Sequence, residues 1–321
     1  MFLKSASSLE DFLHYNAKFA FEYGDRLTNH LPMTVIAYKQ LNAKTEIINH
    51  FIQQYTPRLT TLNHSQQNLL DARIESYLSR FSENDVGAVL KKKLEALSAN
   101  FGSAAFHALI RLSYAVQADS HLEIALALIY WEDQYTPLPK FEISDQYTAE
   151  EQLNFAARLF GDHHFQPGII DDRINEAVRH SNFHLISSSP SSLTLEEVAE
   201  FILQQFYHTN DFTLLHGVTG FHAFNHLLPY MSDKELALRQ FWQAYVAAFS
   251  TTQKPFQPRI LIKDKTESQQ LDSWRAMISR AFSSSDDHTI KVTYSCYWLS
   301  SRFPNQNYQQ AIEMRLQQEG L

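Results

Sequence analysis

Three histidines fall within eleven residues in His216-Gly-Val-Thr-Gly-Phe-His222-Ala-Phe-Asn-His226, a segment otherwise apolar and nearly free of charge. An imidazole held among apolar neighbours loses its water and needs a partner, and a divalent metal is a common one. Two further segments have the same character: Phe106-His107-Ala-Leu-Ile-Arg111-Leu-Ser-Tyr114 and Asp286-Asp287-His288-Thr-Ile-Lys291. A fourth, Asn29-His30-Leu-Pro32-Met33, stands near the N-terminus. These segments are expected to converge on one buried polar site.

Spacing limits how they can meet. His216 and His222 are six apart, so on one straight helix they point about 240° from each other. They share a site only if His216 sits at the helix entrance, where Gly217 and Gly220 permit an irregular turn. His222 and His226 share a face, but His-x3-His without a glutamate after the first histidine is a weak metal signal. His288 and Lys291 face one way on a helix begun by Asp286 or Asp287. A lysine desolvated beside a metal has a depressed pKa, and its neutral amine can take up carbon dioxide to become an anionic carbamate ligand. Arg111 shares a face with His107 and could hold an anionic or carbonyl substrate group or pair with a helix acid such as Glu123. Tyr114 follows a turn later. Taken singly, each of these residues also reads as core: a satisfied histidine, an internal ion pair, a packed ring.

The elements that must position them are helical. The chain has 321 residues with only 8 glycines, and its 10 prolines fall mostly between periodic segments. That disfavours a turn-rich β architecture. Residues 104–115 and 120–130 are apolar on most faces and read as central helices, and a third, the site helix, runs from about Leu214 to Met231. Thr194-Leu-Glu-Glu197 matches a capping box ahead of another helix. Ser187–Ser192 reads as a surface loop and Arg259–Lys263 as a short extended piece. With no internal repeat and no linker, residues 1–321 read as one all-α domain of many helices around a buried histidine-rich site.

The bulk numbers exclude several classes. A formal charge of −8 leaves no basic surplus for nucleic acid. A single cysteine, Cys296, allows neither an intrachain disulfide nor a cysteine-rich zinc site, and fits a reducing compartment. No run of about 20 apolar residues reads as a membrane span. The N-terminus is too polar for a signal peptide, so a cytoplasmic protein is expected. Neither Gly-x-Gly-x-x-Gly nor a P-loop nor Gly-x-Ser-x-Gly occurs, which argues against a dinucleotide fold, a nucleotide phosphate cradle and a serine-hydrolase elbow.

In their order along the chain, Asn-His-Leu-Pro-Met, Phe-His-Ala-Leu-Ile-Arg-Leu-Ser-Tyr-Ala, His-Gly-Val-Thr-Gly-Phe-His-Ala and Asp-Asp-His-Thr-Ile-Lys resemble the questin oxidase-like family. The resemblance spans residues 29–291. It implies an oxygenase of aromatic polyketides, working by Baeyer–Villiger-type oxidation or oxidative ring cleavage on dioxygen and a small aromatic substrate. One branch of the family resembles a non-haem iron enzyme with histidine ligands and a carboxylated lysine. By that resemblance His30, His107, His216, His222 and His288 form the ligand pool, five for about four positions, with Lys291 the modified ligand. Imidazole ligation suits iron, with zinc and manganese as competitors. Arg111 and Tyr114 are then the candidate catalytic residues, in a pocket lined by Phe106, Tyr114 and Phe221. Asn29, Asp287 and Thr219 are candidates to orient the ligands. Many fungal members have a histidine where Arg111 stands, and this chain is short for the family; both point to a different substrate. Two alternatives stand beside this reading: a metal-free, NADPH-dependent Baeyer–Villiger oxidase, and a non-catalytic helical small-molecule-binding protein.

Overall fold

A computed structural model describes residues 8–258, 267–304 and 307–321; the extended piece expected at Arg259–Lys263 lies outside them. Among the described residues there are fifteen α-helices: α1 (Leu9–Asn16), α2 (Leu31–Gln40), α3 (Thr45–Tyr55), α4 (His64–Glu83), α5 (Val86–Leu97), α6 (His107–Gln117), α7 (His121–Gln134), α8 (Ala149–Phe160), α9 (Ile170–Arg179), α10 (Leu195–Thr209), α11 (Phe212–Leu227), α12 (Lys234–Ser250), α13 (Glu267–Ala281), α14 (Asp287–Arg302) and α15 (Tyr308–Gln318). Among the described residues, sheet is confined to an antiparallel hairpin, β1 (Glu22–Tyr23) with β2 (Leu27–Thr28), and a parallel pair, β3 (Ile143–Ser144) with β4 (Ser189–Pro190). The architecture is all-α.

Helix α11 is the axis. It packs against α6, α14, α10 and α12, and α6 and α14 both pack against α2. Residues 213–225 of α11 are all buried, which is why the segment is apolar on every face rather than amphipathic. Its two glycines let neighbours approach closely. A Cβ at Gly220 would lie 2.9 Å from the Phe106 ring, and one at Gly217 would lie 2.7 Å from the Tyr245 ring. The apolar core forms one connected cluster running from Phe12 to Leu316. Among the described residues, no helix is long and apolar enough to cross a membrane.

Local starts and stops follow the side chains that cap them. Thr194 and Glu197 form the expected capping box at α10. Pro32 sits in the first turn of α2, where its missing N–H costs nothing. Asp211 caps α11 and Asp286 caps α14. The serine stretch differs from the expected surface loop. Ser189 and Pro190 are buried. The Gln152 and Gln243 amides donate to the Ser188 carbonyl, and the Arg239 guanidinium donates to the Pro190 and Ser191 carbonyls. Composition marked a chain break there, but it could not show that the exposed backbone polar groups would find internal donors.

The start of α6 also departs from expectation. The helix begins at His107 rather than at Ala104, because Ala104, Ala105 and Phe106 all adopt positive φ (51°, 53° and 69°). Three successive non-glycine residues in the left-handed region carry backbone strain, of about 1–3 kcal/mol each. The turn aims the Ala104 carbonyl back at the first residue of α6.

Candidate metal centre and adjoining cavity

Four of the predicted histidines meet, and each stands near the N-terminal end of a different helix. His30 is the N-cap of α2, His107 is the first residue of α6, His216 is the fifth of α11 and His288 is the second of α14. The Nε2 atom of His107 lies 2.8 Å from Nε2 of His30 and 3.1 Å from Nε2 of His216. The His288 ring stands edge-on to His30, with centroids 4.7 Å apart, and 5.2 Å from His216. One side-chain nitrogen each from His30, His107 and His288 falls within a mutual 4.8 Å.

The outer nitrogens fix the tautomers. Nδ1 of His107 donates to the Ala104 carbonyl at 2.6 Å, and Nδ1 of His216 donates to the Phe212 carbonyl at 2.7 Å. Nδ1 of His30 faces Oδ2 of Asp287 at 2.8 Å, and Nδ1 of His288 faces Oδ1 of Asp286 at 2.8 Å. Carbonyls and carboxylates only accept, so in the neutral rings the proton sits on Nδ1 and Nε2 carries a bare lone pair. The His107 lone pair then faces those of His30 and His216 at hydrogen-bonding distance, with no proton in either gap. A proton added to His107 could bridge one gap but not both. Burial lowers all three imidazoles, His30 to about 3 and His107 and His216 well below the ordinary range, which opposes that proton. Lys291 lowers all three further, and the neighbouring imidazoles add to the effect. A divalent cation would resolve the clash, because it accepts a lone pair from several imidazoles at once. His30, His107 and His288 would hold such an ion, and His216 joins them through its contact with His107. The Nε2 of His288, buried and without a hydrogen-bond partner, is a fourth donor of the same kind.

Asp287 anchors the outer side. It is buried, and its Oδ2 receives His30 and lies 3.1 Å from Nζ of Lys291, one turn on along α14. Burial alone would raise this carboxyl, but Lys291, His288 and His30 outweigh it and hold it well below the usual carboxylate range. Burial lowers Lys291, and Asp287 opposes that shift. Carboxylate-to-imidazole contacts of this sort orient metal-ligating histidines. Of the three residues expected to orient ligands, only Asp287 touches an imidazole. Asn29 accepts the Leu31 N–H and shapes the start of α2, while Thr219 bonds carbonyls of its own helix.

The site opens onto a cavity of about 550 Å³. Its floor includes His30, His107, His216, Asp287 and His288, and its walls come from the β1–β2 hairpin, the Ala104–Ala105 turn and the start of α9. Phe212 stands over the floor, with its ring centroid 4.8 Å from His216 and 4.5 Å from His288.

Three predicted site residues lie elsewhere. His222 is not brought to the centre. Helix α11 begins at Phe212, so His216 already sits in regular helix and the two rings diverge. His222 instead packs against Tyr114, Tyr294 and Trp298, with Nδ1 3.1 Å from Oγ of Ser295 and Nε2 unpartnered. Arg111 is 2 % exposed and pairs with Glu123 at 2.7 Å, the internal alternative, with its guanidinium over the Phe21 ring. Tyr114 is fully buried beside His222. The expected wall of Phe106, Tyr114 and Phe221 does not line the cavity. Phe106 fills the notch at Gly220, and Phe221 packs among Phe224, Phe241 and Phe303. Lys291 adjoins the centre through Asp287 and is not part of the cavity wall. The wall residues Arg26, Arg58, Asp171, Arg173 and Phe212 escaped sequence reasoning, since no spacing ties them to the histidines. Asp286 showed only as a helix cap.

Fold and site together define an all-helical protein with a histidine-floored cavity. Residues 27–296 match the questin oxidase-like family, so the chain belongs to that family. No curated protein matches it.

Proposed function

We propose that the protein is a metal-dependent oxygenase. Its iron would be held by His30, His107, His216 and His288, and its substrate would be an aromatic or polyketide-like ketone in the adjoining cavity. The oxidation would be ring-cleaving or of Baeyer–Villiger type. The observation that carries the reading is the set of Nε2 lone pairs directed at one another while every Nδ1 is held from behind. Family membership supports the oxidative half of the reading. A bound iron would supply the activation of dioxygen, which an organic side chain cannot provide.

The chain's own residues do the rest. Asp287, Asp286 and the Ala104 and Phe212 carbonyls keep the Nδ1 protons in place, so the ligand nitrogens are preorganised and need no reorientation when metal arrives. Phe212 shields the floor from water. The cavity falls in the size range of small-molecule pockets, roughly 300–1,000 Å³, and accommodates a fused aromatic system. Lys291 remains our candidate for carbamate formation. Burial favours its neutral amine, but its salt-bridge distance to Asp287 means the carbamate needs that carboxylate to turn away. Intact-mass analysis under native conditions, with and without bicarbonate, reads that modification directly.

Dioxygen consumption with a hydroxyanthraquinone tests the function. Supplied with ascorbate as the two-electron donor that a Baeyer–Villiger insertion needs, the iron-loaded protein should turn over without NADPH, stop on chelation and recover with ferrous iron. Turnover that survives chelation, or that requires NADPH alone, contradicts the proposal.

A further inference from the structure

The charged and hydroxyl groups on the cavity wall are unevenly engaged. The carboxylates already receive donors. Oδ1 of Asp171 accepts from the Ala105 N–H and Oδ2 from the Asn175 amide, Glu22 accepts from the Tyr130 hydroxyl, and Asp287 is taken by His30 and Lys291. The donors are not so well placed. Arg26, at the tip of the β1–β2 hairpin, is paired with Asp172 at 2.6 Å. Arg58 makes no ion pair among the described residues and lies with its guanidinium carbon 5.4 Å from the Tyr55 ring centroid. Arg173, on α9, is half-buried, lines the cavity and makes no ion pair among the described residues, and its Nε, buried behind the wall, has no hydrogen-bond partner. A buried guanidinium N–H without an acceptor is costly.

Tyr23 adds a third free donor. The His30 backbone N–H, which can only donate, points to Oη of Tyr55 at 3.1 Å. Tyr55 is buried, and among the described residues its other hydroxyl neighbour is Tyr23 at 3.2 Å, so Tyr55 donates to Tyr23. The Tyr23 hydroxyl proton is then not spent on Tyr55, and Tyr23 lines the cavity. Gln134, with both a donor and an acceptor, is the neutral exception on the wall. The first residues of five helices also meet this cavity: His30 before α2, His107 of α6, Ile170 of α9, Phe212 of α11 and Asp287 of α14. Helix N-termini carry partial positive charge, in the same sense as the arginines.

Resting on the cavity being the substrate pocket of the proposed oxygenase, we infer that the substrate carries an acidic oxygen group, an aromatic carboxylate or ionised phenol, gripped by Arg173 and Arg58 with help from the Tyr23 hydroxyl. The ring system then extends toward the histidines. Such a group fills the unused donor capacity on the wall, which an uncharged hydrocarbon edge leaves empty.

Equilibrium binding to the purified full-length protein, read by calorimetry, tests this with three probes: anthraquinone-2-carboxylate, 2-hydroxyanthraquinone and 2-methylanthraquinone. At least one acidic probe should bind about 10- to 100-fold tighter than the methyl compound, the usual worth of a hydrogen bond to a charged group. The preferred acidic probe tells carboxylate from phenol. Arg173→Met should reduce that preference to near unity, Arg173→Lys should retain part of it, and Arg58→Met should lower it by a smaller factor. Arg58 is exposed, so its variant reports even if Arg173→Met fails to fold. Equal binding of all three probes, or an acid preference untouched by either methionine variant, overturns the inference and leaves the aromatic pocket standing. If none of the probes binds, the aromatic-substrate reading falls with it.

Discussion

Two groups of buried histidines sit within about two turns of each other on α11, and they differ in one respect. Around His216, each ring nitrogen on the outer side is held by an oxygen that can only accept, and the inner nitrogens face each other across a gap that opens to a cavity. Around His222, the outer nitrogen meets a serine hydroxyl, and the inner one is unpartnered among Tyr114, Tyr294 and Trp298. Burial depresses both groups, His222 to about 3. Burial and a low pKa therefore do not mark a ligand. What separates the two groups is mutual orientation: lone pairs directed at one another, each backed by an acceptor.

The comparison breaks most sharply on metal binding. His107→Ala removes the imidazole shared by both close Nε2 contacts and should cut iron affinity by several orders of magnitude, while His222→Leu should leave it within a factor of about two. Elemental analysis and metal titration measure both. Equal loss in the two variants would put His222 back in the ligand set.

The second-largest effect concerns the buried Arg111–Glu123 pair, which has the charge of a catalytic group but no access to the cavity. Arg111→Met strands a buried carboxylate and should destabilise the fold by about 3–5 kcal/mol. Arg111→Met with Glu123→Leu should recover much of that loss while iron affinity stays constant, as read by denaturant unfolding and metal titration. Lost iron affinity in the double variant would return Arg111 to the site.

Asp287→Asn sharpens the role of the backing acceptor. It should weaken metal affinity by about 10- to 100-fold, less than losing a ligand and more than any change at Ser295, which backs His222. No change in affinity would reduce Asp287 to a helix-start residue.

The smallest effect is acid sensitivity at His222. The folded imidazole sits near 3, and the unfolded one near its ordinary value of about 6.5. Between those pH values the unfolded chain binds a proton that the folded chain refuses, so stability falls as pH drops, by at most about 1.4 kcal/mol per pH unit from this residue. His222→Leu should flatten the fall in stability between pH 7 and pH 5. An unchanged slope would mean that His222 takes up its proton in the folded state.

Much of this was legible in the sequence. Scarce glycine, capping residues and apolar segments marked an all-helical chain, and His30, His107, His216 and His288 were singled out before any contact was known. The failures have physical causes. The family resemblance puts His222 in the ligand pool, which requires an irregular helix entrance at His216; Gly217 and Gly220 instead serve close packing against Tyr245 and Phe106. The cavity wall was misassigned because aromatic neighbours in sequence were taken for neighbours of the site, whereas Phe106 and Phe221 point into the core. Arg173 and Arg58 carried no signal, because a charged residue reads the same whether it faces water or a pocket. The left-handed turn at Ala104–Phe106 was invisible for a different reason: alanine and phenylalanine give no hint of positive φ, and only tertiary packing holds them there.

Diffraction from crystals of the iron-loaded protein, collected at the iron absorption edge, tests the central claim most directly. The account predicts a single anomalous peak within bonding distance of imidazole nitrogens of His30, His107 and His288, with His216 beside it. A peak beside His222 and His226, or none in protein that has been shown to take up iron, would contradict it.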